Sequence, residues 1–177
     1  MTRLNAPNLI VLARIAAVVP IVLLLARTEP EAARWALALF VCAAASDTLD
    51  GYVARRLGQV TRLGAFLDPL ADKLLIVGTL IALQARDLVP AWVVVIVVAR
   101  ELVVTNLRAI AAARGYSIGA SAYGKAKTLV QSAAAGALLL LLVAPSAPLA
   151  DVAYALLAAA VGLTVLSGVD YLGRASW

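Results

Sequence analysis

Long apolar runs closed by short polar breaks set the pattern of this chain. From Pro7 to about Ala26 an apolar stretch is long enough to cross a bilayer, interrupted by Arg14 and Pro20. The break Arg27-Thr28-Glu29-Pro30-Glu31 reads as a short loop, with Pro30 suited to the first turn of the next helix. A second run extends from about Ala32 to Arg55. A third begins at Gly64 or Pro69 and continues to Ala85, where Arg86, Asp87 and Pro90 close it. The fourth covers Ala91 to about Ala113 and is apolar except for Arg100, Glu101, Thr105, Asn106 and Arg108. After the Gly- and Ser-rich loop from Gly115 to Lys127, a fifth run reaches Val143. Pro145 and Pro148 make a turn, and a sixth run ends near Tyr171. The pattern predicts an all-α integral membrane protein, a six-transmembrane-helix bundle in which residues 1–177 form a single domain.

Composition agrees. The 177 residues are 64% hydrophobic and 14% charged, with a mean hydropathy of +0.97, far from an ordinary soluble domain. A cleaved signal peptide would need an unbroken apolar centre and a small-residue cleavage site. Arg14 interrupts the first and nothing supplies the second. Absence of histidine excludes His-based catalysis and His metal sites, and the lone cysteine, Cys42, excludes an intramolecular disulfide. The formal charge of +5 comes from residues placed between apolar runs, not from one basic tract, so the expected partners are membrane lipids and phosphorylated substrates, with no nucleic acid. Six spans put both termini on one side. Arg3, Arg55, Arg56, Arg62, Arg114, Lys125, Lys127 and Arg174 share that side against Arg27, Arg34 and Arg86, which makes it cytoplasmic.

Between the second and third runs lie four of the ten acidic residues, Asp47, Asp50, Asp68 and Asp72. On a helix Asp50 falls about 60° behind Asp47, Gly51 about 40° ahead and Ala54 about 20° behind, with Arg55 about 80° around at the edge of that face. Gly64, Asp68 and Asp72 are spaced by four. They form a matching face if the third helix has already begun; alternatively Pro69 is its first residue and Asp68 its cap. Converging carboxylates repel unless cations neutralise them, and an all-oxygen donor set suits Mg²⁺ or Mn²⁺. A two-metal arrangement stabilises both attacking and leaving oxygens of a phosphoryl displacement. The small residues Gly51, Ala54 and Gly64 leave room for a group to approach the backbone, and the Arg55 fork suits phosphate.

The sequence around these residues resembles the CDP-alcohol phosphatidyltransferase family, whose motif D-x2-D-G-x2-A-R-x8-G-x3-D-x3-D is met at every fixed position from Asp47 to Asp72. The resemblance implies six membrane helices with a site open to the cytoplasm. It implies that Asp47, Asp50, Asp68 and Asp72 hold a metal pair, that Asp50, Gly51, Ala54, Arg55 and Gly64 line a CDP site, and that Asp72 is also the general base. Softer matches cover nearly the whole chain: Pro7-Asn8-Leu9-Ile10 followed by Arg14, Arg55-Arg56 to Arg62, Arg100-Glu101, Leu107-Arg108, and Gly124-Lys125-Ala126-Lys127-Thr128. They look like the bacterial branch whose donor is CDP-diacylglycerol and whose acceptor is glycerol 3-phosphate, in the cytoplasmic membrane and as a homodimer. Val11 departs from it, standing where the resemblance leads one to expect threonine.

An acceptor carrying its own phosphate needs further positive charge. Glu101, Thr105 and Arg108 share one face of the fourth helix, making Arg108 the first candidate for that phosphate, followed by Lys125 and Lys127. Contact with anionic lipid is the competing role for the two lysines. Arg100 and Glu101, adjacent and deep, are better placed to pair with other polar groups of the bundle. The same motif would serve another acceptor, inositol phosphate or inositol, since it reads only the CDP half. A divalent-cation transporter would use the aspartates differently, nearer the bilayer midplane.

Overall fold

The computed structural model describes residues 6–56, 62–116, 119 and 121–174; the side chains of residues 6–7, 47–56, 62–63 and 65–66 lie outside the described part. Six helices appear among these residues: α1 (Ala6–Leu25), α2 (Pro30–Arg56), α3 (Arg62–Gln84), α4 (Ala91–Ala113), α5 (Ala122–Val143) and α6 (Ala147–Arg174). No described residue is in a strand. The boundaries follow the polar breaks of the sequence within a few residues, except at the start of α5: the loop expected to run from Gly115 to Lys127 ends at Ser121, whose side chain caps a helix beginning at Ala122, so Lys125 and Lys127 are helical. Of the two starts expected for α3, the one at Gly64 is nearly met. That helix starts at Arg62 and carries Pro69 inside it, so Asp68 lies within the helix and is not its cap. Proline removes one backbone donor from the ladder, a loss that helices packed among other membrane helices absorb. Pro20 sits inside α1 in the same way.

Short connections make successive helices run antiparallel. At one end of the bundle Arg86 donates to the backbone carbonyls of Leu25, at 3.3 Å, and Arg27, at 2.5 Å, tying the α1–α2 and α3–α4 turns together. The second of these turns closes α3 with Asp87 in the left-handed conformation (φ 58°). There the Asp87 N–H reaches the Gln84 carbonyl and the Leu88 N–H reaches that of Leu83, satisfying carbonyls that the helix end leaves open. Gly115, at φ 85°, closes α4 similarly. At the opposite end Ser121 caps α5 by accepting from the Gly124 N–H at 3.0 Å. Its own N–H donates to the Tyr171 hydroxyl near the end of α6.

Helix α1 packs closely on α2 and α3, α5 packs on α6, and α4 closes the bundle against α6 and α3. The apolar core lies towards the Arg86 end, around Ile21, Phe40, Leu83, Val93, Leu138 and Leu157. Val11, the departure noted in the sequence, is buried at 1% exposure, where a hydroxyl would gain nothing from solvent. Outside, large apolar side chains such as Leu23, Val95, Leu129 and Val169 are exposed, an arrangement that suits lipid and not water. Trp35 and Trp92, each near the start of its helix at the Arg86 end, are exposed where an interfacial aromatic belt would lie. Three helices, α1, α5 and α6, are long and apolar enough to cross a membrane by length and composition. The remaining three carry most of the polar residues discussed below. This is a membrane protein.

The α1–α3 contact depends on a missing side chain. A Cβ at Gly78 would stand 2.7 Å from Val18 Cγ1, so the two helix backbones approach where α3 has no side chain, as small residues allow in lipid. Gly78→Leu is therefore expected to lower the unfolding free energy by roughly 1–3 kcal/mol through overpacking. Thermal or denaturant unfolding of the purified protein in detergent measures it, with Gly162→Leu, where a Cβ meets nothing within 4 Å, as the control.

Candidate functional site

A cavity of 1020 Å³ opens at the end of the bundle opposite the apolar core, between α3, α4, α5 and the last turn of α6. Its polar wall is built from Asp72 and Lys73 on α3, Arg100, Glu101, Thr105 and Arg108 on α4, and Lys125 and Lys127 on α5. The sequence spacing explains the α4 set, because positions 101, 105 and 108 recur by four and three and face one way on a helix. Thr128, Gln131 and Ser132 add neutral polar groups, and apolar side chains including Val77, Val104 and Leu129 complete the lining. Leu129 is 73% exposed, so the cavity carries an open apolar edge beside its charged wall.

Asp72 is half-buried and does not stand alone. The Arg14 side chain, fully buried on α1, donates from one terminal nitrogen to Asp72 Oδ1 at 2.8 Å and from Nε to Ser46 Oγ on α2 at 3.2 Å. Ser46 in turn donates to the Ala43 carbonyl at 2.7 Å. One guanidinium thus joins three helices at the cavity's acidic wall. Arg14 was legible in the sequence as a charge inside an apolar run, which marks a site, but nothing in the spacing named Asp72 as its partner.

Asp68 and Gly64 precede Asp72 on the same face of α3, and the helix is continuous through all three positions. Asp47, Asp50, Gly51, Ala54 and Arg55 lie on the helical backbone of α2, but their side chains fall outside the described residues. Among the described residues no group of three metal-ligating side chains comes together. The donor set nevertheless fits a hard divalent cation. α2 is helical throughout 47–56, which keeps its two aspartates on one face, and α3 presents Asp68 and Asp72 on one face as well, every donor being carboxylate oxygen.

The basic wall divides into two kinds of cation. Arg100 is engaged with the bundle: Nε donates to Ser167 on α6 at 3.0 Å, one terminal nitrogen meets Glu101 at 3.1 Å, and the guanidinium lies 5.5 Å from the Tyr171 ring centre. Glu101 also pairs with Lys127, which is buried at 4% exposure. The bundle role expected of Arg100 and Glu101 is what the geometry shows. Lys127 lines the cavity but is committed to Glu101. Arg108 and Lys125 line it with no ion pair among the described residues. Lys73, which the sequence reading passed over, donates to Thr105 at 2.5 Å. Its only signal was adjacency to Asp72, and that places it at the cavity edge.

The chain matches the family model described as CDP-alcohol phosphatidyltransferase over residues 4–166. It is 42% identical, over 96% of its length and 94% of the relative's, to the Bacillus subtilis protein named CDP-diacylglycerol–glycerol-3-phosphate 3-phosphatidyltransferase. It is 47% identical to a Mycobacterium tuberculosis protein named "Probable phosphatidylglycerophosphate synthase", over 79% of this chain and 65% of that one. A Streptomyces coelicolor protein named cardiolipin synthase (CMP-forming) is 38% identical over 64% of this chain and 54% of its own.

The Glu101–Lys127 pair yields a stability prediction. Removing one partner leaves the other charge buried alone, at a cost of roughly 3–5 kcal/mol, whereas removing both is close to neutral. Glu101→Gln is expected to destabilise strongly, and adding Lys127→Met should restore part of the loss, the remainder reflecting Arg100, which also pairs with Glu101. Equilibrium unfolding of the two single variants and the double variant reads this directly; equal and additive losses would contradict it.

Proposed function

Because the chain belongs to the CDP-alcohol phosphatidyltransferase family, we propose that it transfers the phosphatidyl group of CDP-diacylglycerol to the sn-1 hydroxyl of glycerol 3-phosphate, yielding phosphatidylglycerophosphate and CMP. One observation supports this reading above the others. One cavity with an exposed apolar edge at Leu129 carries a carboxylate, Asp72, and two cations, Arg108 and Lys125, that make no ion pair among the described residues. An anionic, water-soluble acceptor and a lipid-linked donor both find suitable surroundings there.

In this reading Arg108 and Lys125 hold the acceptor phosphate, with Lys127 behind them. Asp72 accepts the proton of the sn-1 hydroxyl as that oxygen bonds to the lipid-linked phosphorus. The bond from phosphorus to the bridging oxygen breaks, and CMP departs with that oxygen. Asp50, Gly51, Ala54, Arg55 and Gly64 line the CDP site, the glycines and alanine by leaving space and Arg55 by its fork of donors. The family is dependent on divalent cations. Asp47, Asp50, Asp68 and Asp72 would hold two ions, Mg²⁺ or Mn²⁺, which when bound neutralise the carboxylates and stabilise charge on the phosphoryl oxygens. Val77, Val104 and Leu129 offer the acyl chains an apolar path from the bilayer.

The cavity end of the bundle bears Arg114, Lys125, Lys127 and Arg174, whereas Arg27, Arg34 and Arg86 stand at the other. By the positive-inside bias the cavity and both termini face the cytoplasm, in the cytoplasmic membrane of a bacterium. The homodimer implied by the family resemblance belongs to the same proposal.

Purified protein supplied with CDP-diacylglycerol and Mg²⁺ or Mn²⁺ should release CMP with glycerol 3-phosphate. Turnover with inositol phosphate or inositol instead would refute the acceptor assignment, and ion flux through liposomes without donor would point to a transporter. Asp72→Asn should lower kcat by roughly 10²–10⁴-fold if the carboxylate is the base. Arg108→Gln should raise KM for glycerol 3-phosphate by roughly ten- to a hundredfold, the value of one charge-assisted hydrogen bond, with KM for CDP-diacylglycerol little changed.

A further inference from the structure

We infer that Arg14 is a positioning residue for the reaction: from α1 its guanidinium fixes the rotamer of Asp72 by bridging that carboxylate to Ser46. The inference deepens the reading above and rests on it, since it needs Asp72 to be the working carboxylate. The geometry carries it. Arg14 is 2% exposed and does not line the cavity, so it acts through what it holds and not by touching substrate. It meets Asp72 Oδ1 at 2.8 Å from one nitrogen and Ser46 Oγ at 3.2 Å from another. Ser46 is itself held by the Ala43 carbonyl at 2.7 Å. The guanidinium plane is therefore set at two points, and the carboxylate that it grips takes its direction from that plane.

Asp72 lies one turn beyond Asp68 on α3 and keeps its side chain 35% exposed at the cavity wall. A proton acceptor must meet one hydroxyl at hydrogen-bond distance, and misplacement of about 1 Å can cost roughly a hundredfold in rate. Arg14 holds the carboxylate from the side opposite the substrates. A lysine would keep the charge, but a single ammonium on a longer, more flexible stem does not reproduce the planar two-point grip. The functional demand thus falls on guanidinium geometry, not on positive charge alone.

The test separates positioning from mere bundle stability. Arg14→Lys, Arg14→Gln and Asp72→Asn are purified, with Arg14→Lys/Asp72→Asn as the coupled variant. CMP release and thermal unfolding are measured on each, and Mn²⁺ binding to the protein without substrate is followed by electron paramagnetic resonance. Arg14→Lys is expected to lower kcat by roughly ten- to a hundredfold and weaken Mn²⁺ binding by a comparable factor, as losing a partner that orients a ligating carboxylate does. KM for both substrates should stay within about threefold, since the residue touches neither. On the Asp72→Asn background the same substitution should change residual turnover and Mn²⁺ binding by a much smaller factor than in the parent protein. Should Arg14→Gln fail to fold, Arg14→Lys and Ser46→Ala carry the test, the latter with a smaller loss of the same kind.

Equal fractional losses from Arg14→Lys with and without Asp72 would overturn the inference, as would a fall in unfolding temperature with kcat and Mn²⁺ binding unchanged. If Asp72→Asn itself left CMP release and Mn²⁺ binding at wild-type levels, the role given to Asp72 would fail instead. The two failures are thus told apart by which single variant is silent.

Discussion

A guanidinium inside an apolar helix has no water to solvate it, so it must find a carboxylate on another element or not be there at all. Arg14 obeys that constraint by meeting Asp72 across the α1–α3 contact while also reaching Ser46 on α2. The ion pair does more than neutralise charge, because its two ends lie fifty-eight positions apart in the chain and can meet only when three helices are in register. Gly78, which lets α3 come close to α1 further along the same contact, serves that register from the apolar side. Packing and polar pairing impose the same arrangement on the two helices.

A second polar system stands across the cavity and follows the same rule. Lys127 is buried and Arg100 largely so, and Glu101 between them answers both charges. Ser167 and Tyr171 complete the surroundings of Arg100 from α6, while Gln131 meets Thr164 at 2.9 Å to link α5 with α6 below. With these groups committed, Arg108 and Lys125 line the cavity with no ion pair among the described residues, and Lys73 meets only the Thr105 hydroxyl there. The molecule is thereby divided along its length. An apolar half is held by interdigitated side chains, and a polar half has internal pairs that hold its walls apart and leave the mouth charged. A large cavity persists in the polar half because ion pairs and hydrogen bonds, unlike a dry apolar interface, brace helices without filling the space between them.

Much of this was legible in the chain itself. Six apolar runs became six helices at nearly the expected boundaries, since the polar breaks with Pro30, Pro90, Pro145 and Pro148 interrupt the runs where the helices end. The aspartate motif named the family. The choice between the two starts of α3 was not legible: Pro69 is compatible with a first turn or a helix interior, and the outcome depends on whether neighbouring helices accommodate the lost donor. The start of α5 was misjudged, because the polar residues up to Lys127 look like loop and become helix only where Ser121 caps it and Glu101 receives Lys127. The state of Lys127 was not legible either. In sequence it matches Lys125 in charge and neighbourhood, yet two residues of helical rotation turn one inward to Glu101 and leave the other exposed.

Residue types and their spacing, taken alone, determined that the chain is a helical membrane protein, that its carboxylates share helix faces, and that its chemistry is that of the CDP-alcohol phosphatidyltransferases. Those properties are local, set by hydrophobic run length and by the 3.6-residue helical period. Tertiary structure decided which charges meet. Arg14 was bound to Asp72, Lys127 was withdrawn to Glu101, Lys73 was brought to the cavity edge, and Arg108 and Lys125 lined the cavity without an ion pair among the described residues. Ion pairing is a matter of a few ångströms between helices distant in sequence, and no periodicity along one helix encodes which neighbour will stand opposite.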